Sequence, residues 1–504
     1  MDFAANTKPA SGIRELRSRI ADARLVQNCG RVTQMIGLVI ESDGPMASVG
    51  EICSIQQQGR GEGLLAEVVG FRDKKLLLMP LGDVHGICPG SEVVATGHSL
   101  RVPVGDELMG RVIDGMGHPL DEMGDIPKLP LAELDLTAPH PLKRSRIEHT
   151  FETGIKAIDT FVPMGRGQRL GIFSGSGVGK STLMGMMASK AEADVNVIAL
   201  IGERGREVRE FLEKDLDESG RKKSVVVVAT SNQPALMRVK GTFLAMTIAE
   251  YFRAQGRNVL LMMDSITRFA MAQREIGLAI GEPPSSRGYP PSVFSLLPQL
   301  LERAGNSDRG SITGLFSVLV EADDMNDPIG DATRSVLDGH LVLSRELAAH
   351  NHYPAIDVLG SVSRLQQDLL GEEENELVGR ARDTQAVYRR NQDLVSIGAY
   401  ERGSNPAIDN AIAKHEPLNG FLKQGVRESF SRTKSWEQLR MVMGPAESEA
   451  PAVPQQAVVT ETSVSQPPSQ APVQPQPQPA LPMMGAPLPS VMGAAAAQLP
   501  QGVM

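Results

Sequence analysis

Eight consecutive residues, Gly175, Ser176, Gly177, Val178, Gly179, Lys180, Ser181 and Thr182, have the types needed to hold a phosphate. Glycines let backbone N–H groups converge on an anion at positive φ, a lysine reaches the outer phosphates, and a hydroxyl binds magnesium. The surrounding stretch "FSGSGVGKSTL" follows an apolar run, Leu170 to Phe173, and leads into the helix-favouring "STLMGMMASKAEA", so a bound phosphate would face a helix N-terminus. The usual pattern opens on glycine, and Ser174 stands there instead. That position mainly closes the turn, a task a small serine can meet. The chemistry implied is binding of a nucleoside triphosphate; the competing reading is a glycine-rich turn with an ordinary surface lysine.

Hydrolysis needs more than a cradle: a carboxylate for the metal, a group that orients or polarises water, and positive charge for the transition state. Asp264 closes the apolar run "NVLLMMD", where a magnesium-orienting acid belongs, with a helix N-cap for "SITRFAMAQ" as the alternative. Glu203 closes another run, "VIALIGE", and is the candidate for activating water. Pairing with its neighbours Arg204 or Arg206 is the other reading, and the residue types alone leave both open.

These residues need strands and helices to hold them. From about 150 to 365, the runs "RLGIFSG", "VNVIALIGE", "SVVVVAT", "VLLMMDS" and "GLFSVLVE" alternate with helical stretches. This predicts an open, largely parallel α/β sheet with its ligand beyond the carboxyl ends of the strands. Short apolar runs between glycine-rich turns over residues 31–100 predict a small β-barrel or sandwich. Residues 101–150 read as a linker leading into the core, which completes a unit over 101–365. Charged, helix-favouring residues predict a helical C-terminal domain over 366–442. The last 60 residues hold 13 of the 34 prolines, and such a Pro/Gln/Ala tail, 443–504, cannot bury enough surface to fold alone. At the other end, the arm 1–30 places Ile13, Leu16, Ile20 and Ala23 at helical spacing among arginines, suiting its own domain, a partner helix or a membrane surface. The fold class is therefore multidomain: N-terminal β-barrel, α/β P-loop core, helical C-terminal domain.

Composition excludes several classes. Apolar runs such as "VLLMM" fall far short of the ~18 residues that span a bilayer. The polar start "MDFAANTKPASG" lacks a signal-peptide pattern and reads as cytoplasmic. Cys29, Cys53 and Cys88 are too widely spaced for a thiolate metal site and read as reduced and structural. The balance of 51 basic against 60 acidic residues argues against a mainly electrostatic, phosphate-neutralising nucleic-acid binder while leaving room for local patches, and Phe71 is the one aromatic in 31–100 for stacking bases.

"GSGVGKST", "IGERGREV", "LLMMDSITRFAMAQREIG" and "PAIDVLGSVSR", in this order, resemble the catalytic subunits of the rotary ATP synthase superfamily. Within it, "EVVGFRDKKLLLMPLGDVHGICPG", "GEPPSSRGYPPSVFSLLPQLLERAG" and "DDMNDPIGDATRSVLDGHLVLSRELA" resemble the flagellar type III protein-export ATPases more closely. The match spans roughly Gly30 to Arg440, and members of that branch often carry alanine where this chain has Ser174.

The resemblance implies ATP and Mg2+ as ligands, with Lys180 on the β- and γ-phosphates, Ser181 and Asp264 at the metal, and Glu203 as the catalytic carboxylate. It sets Arg204 and Arg268 near the terminal phosphate and Tyr353 against adenine; local ion pairs and ordinary packing are the alternatives. Arg364, closing "GSVSR", matches an arginine that reaches into a neighbouring subunit's site; a strand-end ion pair is the other reading. Also implied are a homohexamer, a stator-like regulator on the N-terminal arm, and a coiled-coil stalk protein. The remaining implied partners are an export gate, chaperones and exported flagellar proteins, at the cytoplasmic face of the inner membrane. The loop from Glu282 to Pro291 reads equally as pore lining or surface connection. A virulence-type secretion ATPase would share nearly every catalytic residue. A subunit of a rotary ATP synthase or ion pump and a ring-shaped nucleic-acid motor are the more distant alternatives.

Overall fold

The computed structural model describes residues 28–59, 63–134, 137–320 and 327–445. Most of the arm 1–30 and of the tail 443–504 lies outside these, as does the start of the "DDMND" segment.

Strands β1 (Cys29–Ile36), β2 (Val39–Asp43), β3 (Glu51–Ile55), β4 (Leu64–Arg72), β5 (Lys75–Pro80) and β6 (Glu92–Ser99) close into a barrel in the order β1-β2-β5-β4-β3-β6. Closure pairs every strand on both sides, which removes the exposed edges a small sheet would otherwise present. Alternation along the strands turns Val32, Ile40, Cys53, Ile55, Ala66, Val68, Leu76, Leu78 and Val93 inward as its core. Close approach at one end requires glycine: a Cβ on Gly30 would lie 2.0 Å from the carbonyl carbon of Gly44, itself at φ +67°. None of the three cysteines forms a disulfide, and burial pushes the Cys53 thiol up to about 11.

The core is a nine-stranded sheet. Its strands are β7 (Val112–Asp114), β8 (Arg169–Ser174), β9 (Val195–Ile201), β10 (Ser224–Ala229), β11 (Asn258–Asp264), β12 (Ser311–Leu319), β13 (Gly339–Leu343) and β14 (Val362–Ser363). They run in the order β14-β13-β8-β12-β11-β9-β10-β7, parallel from β13 to β7, with β14 antiparallel at one edge and the short strand Gly305–Asn306 paired beside β12. The segment expected as a linker thus supplies the outer strand β7. Asp121 holds it, accepting from the Val112 N–H at 2.7 Å and pairing with Arg111 at 2.8 Å.

Among the helices are α1 (Lys156–Phe161), α2 (Lys180–Lys190), α3 (Gly205–Glu210), α4 (Ala235–Ala254), α5 (Ile266–Ile280), α6 (Pro291–Leu301), α7 (Pro328–Val336), α8 (Arg345–Ala349), α9 (Glu372–Ser396), α10 (Pro406–Leu422) and α11 (Arg432–Met443). The central strands are buried on both faces, which is why they read as unbroken apolar runs. Along β9, Val197, Ala199 and Ile201 face one core with Phe243 and Leu244 of α4, while Ile198 and Leu200 face the other with Leu183 and Met187 of α2. The C-terminal helices join that second core through Leu377, Leu418, Phe421, Trp436 and Leu439. Asn405 caps α10 by accepting from the Ala407 and Ile408 N–H groups, and Pro406 occupies the first helical position, where no N–H is needed. No helix among the described residues is long and apolar enough to cross a membrane.

Candidate active site

The phosphate loop lies where the sequence places it, between β8 and α2. Ser174 is the last residue of β8 and 2 % exposed, and its carbonyl accepts from Val320 N–H at 3.0 Å. It is extended strand and needs no positive φ, so a glycine is not required there. The positions that do need one are Gly177 at φ +80° and Gly179 at φ +88°, where L side chains are strained. Gly175 meets a different constraint: a Cβ would lie 2.5 Å from the Arg345 guanidinium of α8. Val178 turns its side chain into the core, leaving only its backbone for a ligand, and the Thr182 hydroxyl donates to Asp215 at 2.9 Å.

Across the loop, Lys180 Nζ forms an ion pair with Asp264 Oδ1 at the end of β11. The neighbouring Ser317 of β12 donates its hydroxyl to the same oxygen at 2.9 Å and lies 3.3 Å from Lys180 Nζ. Asp264 does not cap α5. Ser265 does, accepting from the Arg268 N–H, which leaves the Asp264 carboxylate at the sheet's rim.

Glu203 follows β9 and lines the same cavity, about 540 Å³, together with Lys180, Asp264, Arg268 and Glu207 of α3. Burial, then the Asp264 charge and a hydrogen bond with Glu207, push its carboxyl up to about 7, and Glu207 is correspondingly held low by that hydrogen bond. The ion-pair alternative for Glu203 is not what forms with Arg204: that side chain is largely exposed and pairs with Glu207 at 3.6 Å. Glu203 Oε1 and Arg268 Nε are both buried without a hydrogen-bond partner. The Arg268 stem lies over Gly202, where a Cβ would meet it at 2.7 Å.

Tyr353 is half-exposed with its ring against the end of the phosphate loop, 3.4 Å from where a Gly179 Cβ would be. Its carbonyl accepts from Gln424 N–H at 2.9 Å, tying it to the segment after α10. Arg364 stands apart. It follows β14, is exposed, donates to the Arg334 carbonyl at 3.2 Å, and is not among the residues lining its own chain's cavity.

The arrangement suits a magnesium nucleotide. Among the described residues no group of three or more His, Cys, Asp or Glu could hold a metal alone. Magnesium commonly takes one or two carboxylates and completes its shell with substrate phosphates and water, which Asp264 and the Ser181 hydroxyl accommodate. The orphaned polar atoms of Glu203 and Arg268 face chemistry the protein itself does not supply.

Sequence reading missed Ser317, Glu207 and Arg345. For Ser317 a signal existed: it is the lone polar residue between Leu315 and Val320.

Residues 154–363 match the ATP synthase alpha/beta family, nucleotide-binding domain; 32–97 match its beta-barrel domain; and 370–441 match the T3SS EscN ATPase C-terminal domain. The flagellum-specific ATP synthase of Bacillus subtilis is 52% identical over 83% of this chain and 96% of its own length. The type 3 secretion system ATPase of Xanthomonas euvesicatoria is 46% identical over 86% and 98%. Among solved structures, the assembled ATPase EscN of the enteropathogenic E. coli type III secretion system superposes with TM-score 0.79 at 45% identity, over 82% of this chain and 100% of that one. EscN in complex with its central stalk EscO gives TM-score 0.77.

Proposed function

The chain belongs to the ATP synthase alpha/beta family, among its flagellum-specific and type III secretion ATPases, and we propose that its ATP is hydrolysed at the cavity between Lys180, Glu203 and Asp264. It is an ATPase whose hydrolysis energises export of flagellar proteins. The flagellar relatives of Bacillus subtilis and Treponema pallidum, at 52% and 50% identity, favour that assignment over the injectisome ATPases at 46%. The match of residues 370–441 to a secretion-ATPase C-terminal domain speaks against a synthase subunit.

The observation that carries the site assignment is the convergence of Lys180, Asp264, Glu203 and Arg268 on one cavity at the carboxyl edge of the sheet. On binding, Lys180 exchanges Asp264 for the β- and γ-phosphates, and backbone N–H groups from Gly175 to Thr182 hold their oxygens. Ser181 and Asp264 would hold a magnesium ion, which would supply positive charge to offset that developing on the phosphates. Glu203 orients the attacking water and takes its proton, a task suited to a carboxyl already pushed up to about 7. Arg268 and Arg204 stabilise the terminal phosphate, and Tyr353 stacks on adenine. Arg364 completes the site of a neighbouring copy, which calls for head-to-tail ring closure, read here as a homohexamer.

Lys180→Ala should abolish hydrolysis, and Glu203→Gln should stop turnover while nucleotide binding, followed by fluorescence of a labelled analogue, persists. Equal loss of binding and turnover in Glu203→Gln would make Glu203 structural. The proposed partners are a stalk protein inside the ring, a regulator on residues 1–30, and chaperones, with peripheral attachment to the inner membrane at the export gate. Affinity capture with and without residues 1–25 tests the regulator: a coiled-coil protein should be lost on truncation, and its retention would remove the arm from that role.

A further inference from the structure

Ser317 is a serine, 1 % exposed, inside a strand buried along all but its last residue, in a run otherwise apolar from Leu315 to Val320. A buried hydroxyl must find a partner or cost stability, so its partners are informative. The register of the sheet supplies them. β12 lies between β8 and β11, with Ile172 opposite Ser317 on one side and Met263 opposite Phe316 on the other. Continuing that pairing by one residue sets Ser317 beside Asp264, at the rim where β8 opens into the phosphate loop. The hydroxyl there accepts from Lys180 Nζ at 3.3 Å and donates to Asp264 Oδ1 at 2.9 Å. Lys180 pairs with that same oxygen, so all three groups meet at Oδ1.

We propose that Ser317 is a positioning residue for the nucleotide site, fixing the Asp264 carboxylate while Lys180 leaves it for phosphate. Once Lys180 departs, Asp264 would otherwise be free to rotate or to follow the lysine. The Ser317 hydroxyl keeps Oδ1 occupied, so the carboxylate meets the metal in one orientation without reorganisation. Threonine can make the same hydrogen bond; alanine cannot.

This rests on the assignment of Asp264 to the metal, and the test separates the two. In the full-length protein, affinity for a fluorescent ADP analogue is measured with magnesium and in EDTA. Wild type should bind more tightly with magnesium; if it does not, the Asp264 assignment itself fails. Ser317→Ala should lose most of that magnesium-dependent gain, roughly tenfold for one hydrogen bond to a charged group, while its affinity in EDTA is unchanged or slightly tighter. Ser317→Thr should keep the gain. If Ser317→Ala melts early, Ser317→Cys, similar in size with a weak donor, is read in its place. A magnesium gain equal to wild type in the variant, or equal loss in both conditions, overturns the proposal.

Discussion

Glu203 is buried beside the Asp264 charge and hydrogen-bonded to Glu207, and the consequence is a pH dependence of stability opposite in sign to that of a salt-bridged surface glutamate. Burial and the nearby Asp264 charge make the folded chain hold the Glu203 proton more tightly than the unfolded chain does, up to about 7. The contribution to stability is therefore complete below the ordinary glutamate range and is lost as pH rises from there through about 7. Glutamine at 203 cannot ionise, so Glu203→Gln should gain thermal stability relative to wild type, and gain more at pH 8 than at pH 5. Asp159, also pushed up to about 7 by burial, adds a dependence of the same sign, but equally in both proteins, and cancels in the difference. An offset between the melting curves that is constant with pH would contradict this origin of the shift.

Among the elements, α2 is the one on which the site depends most, because its N-terminus is the phosphate loop. It packs on the single turn Phe211–Asp215: a Cβ added at Gly185 would lie 2.3 Å from the Asp215 carbonyl oxygen. Two effects of Gly185→Ala oppose each other. Helix propensity favours alanine by about 1 kcal/mol, while a backbone clash of that depth costs about 1–3 kcal/mol as the helix is pushed away. The clash should win, giving a lower urea midpoint and weaker nucleotide binding; a more stable variant would contradict the packing. The parts of the fold legible in the sequence are those written locally. Strand ends are marked by Asp264 and Glu203 closing apolar runs, and the phosphate loop by glycines at Gly177 and Gly179 whose φ is positive. The illegible parts depend on register between distant segments. Ser317 meets Asp264, Arg345 reaches Gly175, and β7 joins β10 only through pairings that no local pattern encodes. Ser265 rather than Asp264 caps α5, a choice between adjacent cap-forming residues that propensity alone does not make.

At the scale of the whole molecule, one chain carries every part of the proposed site but keeps one, Arg364, at a distance. Lys180, Glu203, Asp264 and Arg268 line one cavity, while Arg364 lies beyond β14, exposed, donating its side chain to the Arg334 carbonyl and its backbone N–H to the Asp338 carbonyl. A guanidinium in that position is available to another copy, and a planar fork suits the spread charge of a transferring phosphoryl group. The central claim is thus that ATP is hydrolysed at a site built from two copies of this chain. The most direct measurement is the ATPase activity of an equimolar mixture of Arg364→Ala and Glu203→Gln proteins, at concentrations where rings form. Each variant alone should be inactive. In mixed rings some interfaces combine the intact Glu203 of one copy with the intact Arg364 of the next, so activity should reappear, rising and then falling as the ratio is varied. A mixture that stays as inactive as its components, in rings shown to contain both, would contradict it.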